Sequence, residues 1–152
     1  MLRRTLVGLG IVLCLAAISS CDKDDDDDDN GNIVQFSGAM SGANEVPAVT
    51  TTATGNVTGS YDKTSKILTI NVTYSGLSSA ITVWHVHKAA AGVSGLPVAG
   101  LNYGTMGASP FTWSSGALDA SMEADLLNNL WYVNIHTADN GGGEIRGQLT
   151  KQ

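Results

Sequence analysis

Charged residues, cysteines and prolines are all scarce in this chain of 152 residues. Charged side chains make up only 14% of the sequence, whereas apolar ones make up 43%. Because a disordered chain has the opposite balance, we expect a folded core. The 2 cysteines are too few for a disulfide-dense miniprotein, and the 3 prolines exclude collagen. The length suits one domain of ordinary size.

The net charge of −6 comes almost entirely from one short segment. Residues 22–29 hold seven aspartates and one lysine, whereas the body from Ile33 onward holds seven acidic and five basic residues. A nearly neutral body offers no basic surface on which phosphates could be neutralised. Nucleic acid is therefore excluded as a partner.

The first 20 residues have the features of a bacterial signal peptide. Arg3 and Arg4 form a positive n-region, and residues 6–18 form an apolar stretch that is short for a bilayer span. The segment that ends in Cys21 resembles a lipobox, in which that cysteine becomes the lipidated amino terminus. Cys14 lies in the discarded apolar stretch, so the mature domain has no internal disulfide. We expect a lipoprotein held to a membrane; an ordinary secreted protein with a stray cysteine is the alternative.

Residues 21–32 form an acidic segment that begins at the lipidated cysteine. A block of like charges repels itself and cannot bury apolar area, so it predicts an extended, solvated tether. Within it, Lys23, Asp24 and Asp25 resemble a surface-export signal of one group of Gram-negative lipoproteins. We expect an outer-membrane lipoprotein exposed at the cell surface. If the segment is only an acidic spacer, the periplasmic face is the alternative.

Residues 33–152 predict one antiparallel β domain with a single short helix. Residues 55–61 and 66–74 form strands around a turn, and the alternation of apolar residues in the second strand predicts a hairpin. Residues 119–129 predict the helix, which an aspartate or serine at its start can cap. Many short strands at this spacing indicate a β-sandwich.

The same region resembles the CHRD domain, which is named for its repeats in the developmental antagonist chordin and occurs alone in many exported bacterial proteins. The resemblance covers residues 36–149, and it depends on the order and spacing of several short motifs. These motifs are Phe36-Ser37-Gly38, Ala43-Asn44-Glu45-Val46-Pro47-Ala48, Thr54-Gly55, Gly76-Leu77, His85-Val86-His87, Gly95, Pro97, residues 132–137 and residues 143–149. The resemblance implies a β-sandwich-like extracellular module and supplies no established catalytic residues.

The three histidines of the chain all lie in predicted strands. His85 and His87 are two residues apart, so their rings point from the same face of one strand. If the strand that carries His136 is a neighbour, the three imidazoles can form a site for copper or zinc. The alternative is that the histidines are structural and hydrogen-bond carbonyl groups or neighbouring strands.

Glu45, Glu144 and Arg146 are rare charges within otherwise apolar runs. Because Glu144 and Arg146 share a strand face and arginine can bind a carboxylate bidentately, we expect an ion pair in which Arg146 clamps Glu45. An acid/base pair is the functional alternative. A clamp of this kind would fix the amino-terminal segment against the last strand.

No catalytic constellation is recognisable: the serines lie in glycine-rich turns, and no phosphate loop or dinucleotide motif is present. Trp84, Trp113 and Trp131 would offer a sugar-binding platform only if they are exposed. We therefore expect a non-catalytic module that binds an extracellular ligand or protein, or acts in adhesion. The alternative is a metal-binding or redox protein that uses the three histidines; the sequence requires no cofactor otherwise.

Overall fold

The computed structural model describes residues 31–152. The predicted signal peptide at 1–20, the lipidation site Cys21 and the export residues Lys23, Asp24 and Asp25 lie outside the described residues. Among the described residues, no helix is both long enough and apolar enough to cross a membrane.

The described chain is mainly antiparallel β with one short helix, as the sequence predicts. The elements are β1 Ile33–Ser41, β2 Thr54–Asp62, β3 Ile67–Ser75, β4 Ile81–Lys88, β5 Leu96–Pro97, β6 Phe111–Ser114, α1 Ala120–Leu127, β7 Trp131–Thr137, β8 Ile145–Gln148 and β9 Thr150–Lys151. A 3₁₀ turn at Gly42–Asn44 follows the first strand. All nine strands belong to one sheet in the order β5-β4-β7-β8-β1-β2-β3-β6, and β9 pairs with β1.

The predicted hairpin is confirmed, because β2 and β3 pair in register along their full lengths. Its turn is closed by Asp62, whose carboxylate accepts a 2.7 Å hydrogen bond from the Thr64 backbone N–H. The apolar face of β3 lies in the core, where Leu68 and Ile70 are fully buried. The helix begins where predicted, and Asp119 caps it by accepting hydrogen bonds from two backbone N–H groups.

The sheet curls so that its two ends meet around one core, in the manner of a sandwich or half-barrel. Trp84 on β4 lies near one end of the strand order and Trp113 on β6 at the other, yet their ring centroids are 5.4 Å apart in an edge-to-face contact. Trp84 and Trp131 are fully buried and Trp113 is only 9% exposed. The three tryptophans therefore belong to the core and form no exposed sugar-binding platform.

Strand β7 is buried along its whole length, because both of its faces are covered. Trp131, Val133 and Ile135 face the hydrophobic core. The alternate side chains, Tyr132, Asn134 and His136, face the other way and are also buried. This second face is the one that carries the candidate site.

Candidate metal centre

A layer of polar side chains covers the face of β4, β7 and β8 that points away from the core; we call it the polar face. Strand register sets its arrangement, since Asn134 in the middle strand lies opposite His85 on one side and Arg146 on the other. In the next row, Tyr132 lies between His87 and Gln148. The polar face therefore places imidazoles on one flank and a guanidinium on the other.

The three histidines converge on the polar face. The sequence left open whether their strands are neighbours, and β4 and β7 are paired directly. One ring nitrogen from each of His85, His87 and His136 lies within 4.8 Å of the others. The ring centroids are 5.3 to 5.7 Å apart. His87 and His136 are each 7% exposed, so the cluster lies at the bottom of the layer and not on the open surface.

Backbone carbonyl groups fix the orientation of two of the rings. Nδ1 of His87 lies 2.9 Å from the Gly95 carbonyl oxygen, and Nδ1 of His136 lies 3.0 Å from that of Gly141. A carbonyl oxygen can only accept, so both Nδ1 atoms carry the hydrogen. In a neutral ring, Nε2 then keeps its lone pair. This second contact from imidazole to a backbone acceptor is typical of histidines that ligate metals.

The lone pairs that remain have no partner among the described residues. Nε2 of His87, Nε2 of His136 and Nδ1 of His85 are all buried without a hydrogen bond. Leaving a buried polar atom unpaired costs about 1–3 kcal/mol, so three such atoms in one cluster call for a ligand. A metal ion would satisfy all of them at once.

The environment favours the neutral form of two of the rings, His85 and His87. Burial lowers the pKa of His85 below its ordinary value of 6.5, and the neighbouring His136 lowers it further. Burial likewise lowers the pKa of His87, although the hydrogen bond to Gly95 acts in the opposite direction. A histidine must be neutral to coordinate, so these shifts prepare both rings for a cation at neutral pH.

Aromatic side chains enclose the histidines. The ring of Tyr132 stacks on that of His87 at 5.0 Å with an interplanar angle of 16°. Tyr103 meets His85 edge-on at 5.2 Å, and its hydroxyl donates a 2.8 Å hydrogen bond to the Val86 carbonyl. Tyr132 and His136 lie on the same face of β7, and the alternation of side chains along a strand predicts this. Tyr103 lies in a long loop, for which no local pattern predicts the contact.

Glu144 organises the turn beside His136 and does not lie in an ion pair with Arg146. Its fully buried carboxylate accepts hydrogen bonds from the hydroxyls of Thr51 (2.7 Å), Ser78 (2.9 Å) and Thr137 (2.8 Å), and from the Ser78 backbone N–H (2.9 Å). Burial alone would raise the pKa of Glu144, but these hydrogen bonds hold it below its ordinary value of 4.5. The carboxylate thereby ties down the turn that presents the Gly141 carbonyl to His136.

Glu45 and Arg146 are brought together, but not as a bidentate pair. Oε2 of Glu45 lies 3.9 Å from Nε of Arg146. The guanidinium instead donates hydrogen bonds to the carbonyl oxygens of Asn44 and Val93, and it lies 4.4 Å above the ring of Tyr132. Burial raises the pKa of Glu45 to about 7, against the opposing effect of Arg146. Arg146 therefore connects the two loops that cover the polar face.

Three imidazoles in one cluster are a ligand set that can coordinate a transition-metal ion. Zinc–nitrogen bonds of about 2.0–2.1 Å place two ligand nitrogens of a tetrahedral site about 3.3 Å apart. Nitrogens that lie up to 4.8 Å apart would therefore have to approach by up to about 1.5 Å to bind one zinc ion. A three-histidine set leaves a coordination position for water or another ligand. Imidazole suits both copper and zinc.

Comparison with known families places the described domain in a family. The family model described as the CHRD domain matches residues 36–149. The matched region includes all three histidines, Glu45 and Arg146. Comparison with the curated proteins and with the solved structures gives no significant match.

Proposed function

The chain belongs to the CHRD domain family, and from that premise we propose that it is an exported metal-binding protein whose three histidines hold one copper or zinc ion. The proposal rests on the convergence of three imidazoles, in which one ring nitrogen from each lies within 4.8 Å of the others. Each of the three rings also has a buried nitrogen with no hydrogen-bond partner among the described residues. A structural histidine would use these nitrogens for hydrogen bonds within the protein. Here Nδ1 of His87 and of His136 is already bonded to the backbone, which leaves Nε2 free for a metal.

The ligand set favours copper or zinc over calcium and magnesium. Calcium and magnesium are bound by oxygen ligands, whereas the described cluster consists of imidazoles alone. The open coordination position would hold water when no other ligand is bound. The site therefore suits metal binding and handling, and a copper ion in it would also be capable of redox chemistry.

We test metal binding with the soluble domain, residues 33–152, because the acidic segment before it would bind cations nonspecifically. Wild type should bind one equivalent of Cu²⁺ or Zn²⁺ near neutral pH and melt at a higher temperature in its presence, since the metal binds the native state preferentially. His85→Ala and His136→Ala should each lose the metal-dependent rise in melting temperature. Asn71→Ala, a change at an exposed position of β3, is the control and should keep the metal effect.

A loss of stability that does not depend on metal would show that the histidines have a structural role. In that case the histidine variants are less stable with and without metal by the same amount, and wild type binds no stoichiometric ion. A module for binding an extracellular ligand or protein, or for adhesion, would then be the remaining prediction.

The proposal includes a lipid anchor at Cys21, supported by the lipobox-like segment before it. Cys21→Ala should abolish labelling with a fatty acid and release the protein from membranes. Cys14→Ala is the matched control, because that residue lies in the stretch that is removed, and it should label as wild type does. Persistent labelling of Cys21→Ala would exclude the anchor.

Display at the outer surface is the last part of the proposal, supported by Lys23, Asp24 and Asp25. Changing these three residues to alanine should leave the protein lipidated but protected from protease added to intact cells. The same change at residues 27–29 removes three aspartates from the same tether and should leave the protein accessible. Equal access in wild type and both variants would count against Lys23, Asp24 and Asp25 as the export signal. Protection of wild type and both variants would favour the periplasmic face.

A further inference from the structure

The backbone at Gly95 lies close against the end of β4, and this brings its carbonyl group to His87. The Gly95 carbonyl oxygen lies 2.9 Å from Nδ1 of His87, which must carry the hydrogen because a carbonyl only accepts. A Cβ on residue 95 would lie 2.0 Å from the Lys88 carbonyl oxygen, so a side chain there would push the loop away from β4. The contact with His87 therefore requires glycine at this position.

Tyr132 supports both partners of this hydrogen bond. Strand register places Tyr132 directly opposite His87, and its ring stacks on the imidazole at 5.0 Å with an interplanar angle of 16°. Its hydroxyl accepts a 3.1 Å hydrogen bond from the Gly95 backbone N–H. One side chain therefore fixes the ring that donates and the residue whose carbonyl accepts.

Arg146 supports the same loop from β8. Nη1 donates a 3.0 Å hydrogen bond to the carbonyl of Val93, two residues before Gly95. The guanidinium carbon also lies 4.4 Å from the centroid of the Tyr132 ring, and Nε donates to the Asn44 carbonyl. Because one buried guanidinium contacts both the loop and the tyrosine ring, its loss would loosen both supports of Gly95.

These contacts form one chain from Arg146 through Tyr132 and Gly95 to His87. The nitrogen of a neutral imidazole that carries the proton is set by the hydrogen bond which that nitrogen makes. We propose that Tyr132 and Arg146 are positioning residues, which hold the Gly95 carbonyl against Nδ1 of His87 and thereby keep Nε2 free for a metal. The consequence for metal affinity rests on the proposed function, whereas the tautomer of His87 is measured without metal.

The test is the tautomer of His87 in the metal-free full chain in detergent, followed by the ¹⁵N shifts of the imidazoles at pH 7.5. The chain has 3 histidines, so the signals are assigned by their loss in His87→Ala and His136→Ala. Wild type should have its proton on Nδ1 of His87. Tyr132→Phe keeps the stacked ring but loses the hydroxyl, so nothing holds Gly95 and the two ¹⁵N shifts of His87 should approach each other, as a mixture of tautomers requires.

Arg146→Lys should change His87 in the same direction. It keeps the positive charge but loses the planar group that bonds Asn44 and Val93 together. Tyr74→Phe is the matched control on β3, because it removes a hydroxyl that donates a 2.7 Å hydrogen bond to the Gly107 carbonyl. This variant should leave the tautomer of His87 as in wild type.

His136 is the internal control in every spectrum. Its Nδ1 lies 3.0 Å from the Gly141 carbonyl oxygen, which belongs to a different turn. The proton of His136 should therefore stay on Nδ1 in both Tyr132→Phe and Arg146→Lys. A general loosening of the domain would alter both histidines, whereas loss of positioning alters His87 alone.

Metal affinity gives a second measurement. Changing a residue that orients a ligating histidine typically weakens metal binding by about 10–100-fold. We expect Tyr132→Phe to bind Zn²⁺ about tenfold more weakly than wild type, and Tyr74→Phe to bind it equally well. If wild type binds no Zn²⁺, the proposed function fails, and the tautomer in metal-free protein still decides the roles of Tyr132 and Arg146.

Three results would overturn the proposal. The first is a wild-type His87 that carries its proton on Nε2. The second is a His87 that keeps its proton on Nδ1 in both Tyr132→Phe and Arg146→Lys while these variants remain folded. The third is an equal change of His87 and His136. A change in only one variant would assign the role to that residue and reject it for the other.

Discussion

Replacing Glu144 with glutamine should destabilise the domain far more than its single lost charge suggests. The carboxylate accepts four hydrogen bonds of 2.7 to 2.9 Å from three residues that are distant in the sequence or across the turn. Glutamine has the same shape but only one accepting oxygen. Its NH₂ group would face hydroxyls that now donate to the second carboxylate oxygen.

The magnitude follows from these contacts. Hydrogen bonds to a charged group contribute about 1.5–3 kcal/mol each, but hydroxyls can turn to accept from the new NH₂ and recover part of the loss. We expect Glu144→Gln to lower the free energy of unfolding by about 2–3 kcal/mol. Because Thr137 and the turn after it would loosen, metal affinity should fall as well.

The assay is equilibrium unfolding of residues 33–152 in guanidinium chloride, followed by tryptophan fluorescence. Glu123→Gln removes a carboxylate from a partly exposed pair with Lys66 and serves as the control with a smaller effect. A loss below about 0.5 kcal/mol in Glu144→Gln would refute the assigned role, since it is the size of an ordinary surface substitution.

The pH dependence gives an independent check on Glu144. Its pKa in the folded protein lies below the ordinary 4.5. The contribution of the Glu144 carboxylate to the free energy of unfolding is therefore complete above about pH 4.5. It is lost as the pH falls through the pKa of the folded state. Wild type should lose stability in this acid range more steeply than Glu144→Gln, and parallel pH profiles would contradict the assignment.

Two further predictions concern the turn and the metal-free histidines. Gly143 has a φ of +121°, and a Cβ there would lie 2.5 Å from the amide of Asn134, so Gly143→Ala should cost about 1–3 kcal/mol. Gly142→Ala, where a Cβ meets open space, should cost much less; equal losses by thermal denaturation would be inconsistent with this geometry. Burial lowers the pKa of His85 and His87 in the folded protein, so the unfolded chain takes up protons at a higher pH than the folded one does. The metal-free domain should therefore lose stability as the pH falls below about 6.5. A melting temperature that is equal at pH 7.5 and 5.5 would argue against buried neutral histidines.

Local periodicity predicted much of the fold and part of the site. Alternation along residues 66–74 gave the hairpin and its core face, and the spacing of His85 and His87 placed both rings on one side of a strand. The pairing of that strand with the one that carries His136 is a contact between distant segments. Local periodicity cannot predict such a contact, so the three-histidine site depended on the assumption that the two strands are neighbours.

The parts that the sequence did not predict depend on loops. The partners of Glu144 include Thr51 and Ser78, which lie 93 and 66 residues away and follow no repeating pattern. The sequence pattern groups Glu144 with the nearby cation Arg146, because charges are recognisable in a sequence, whereas hydroxyls that converge only in the fold are not. The contact of Tyr103 with His85 likewise arises from a long loop that folds back over the sheet.

The most direct test of the central claim is a long-range ¹H–¹⁵N spectrum of the histidine side chains in residues 33–152 before and after one equivalent of Zn²⁺. Before metal, Nδ1 of His87 and His136 should be protonated and Nε2 should have the shift of an unprotonated nitrogen, as their contacts with the Gly95 and Gly141 carbonyls require. One equivalent of Zn²⁺ should move Nε2 of both rings and one nitrogen of His85 to metal-bound positions, with Nδ1 of His87 and His136 still protonated. A spectrum that is unchanged at one equivalent, or one in which these two rings bind through Nδ1, would contradict the three-histidine site.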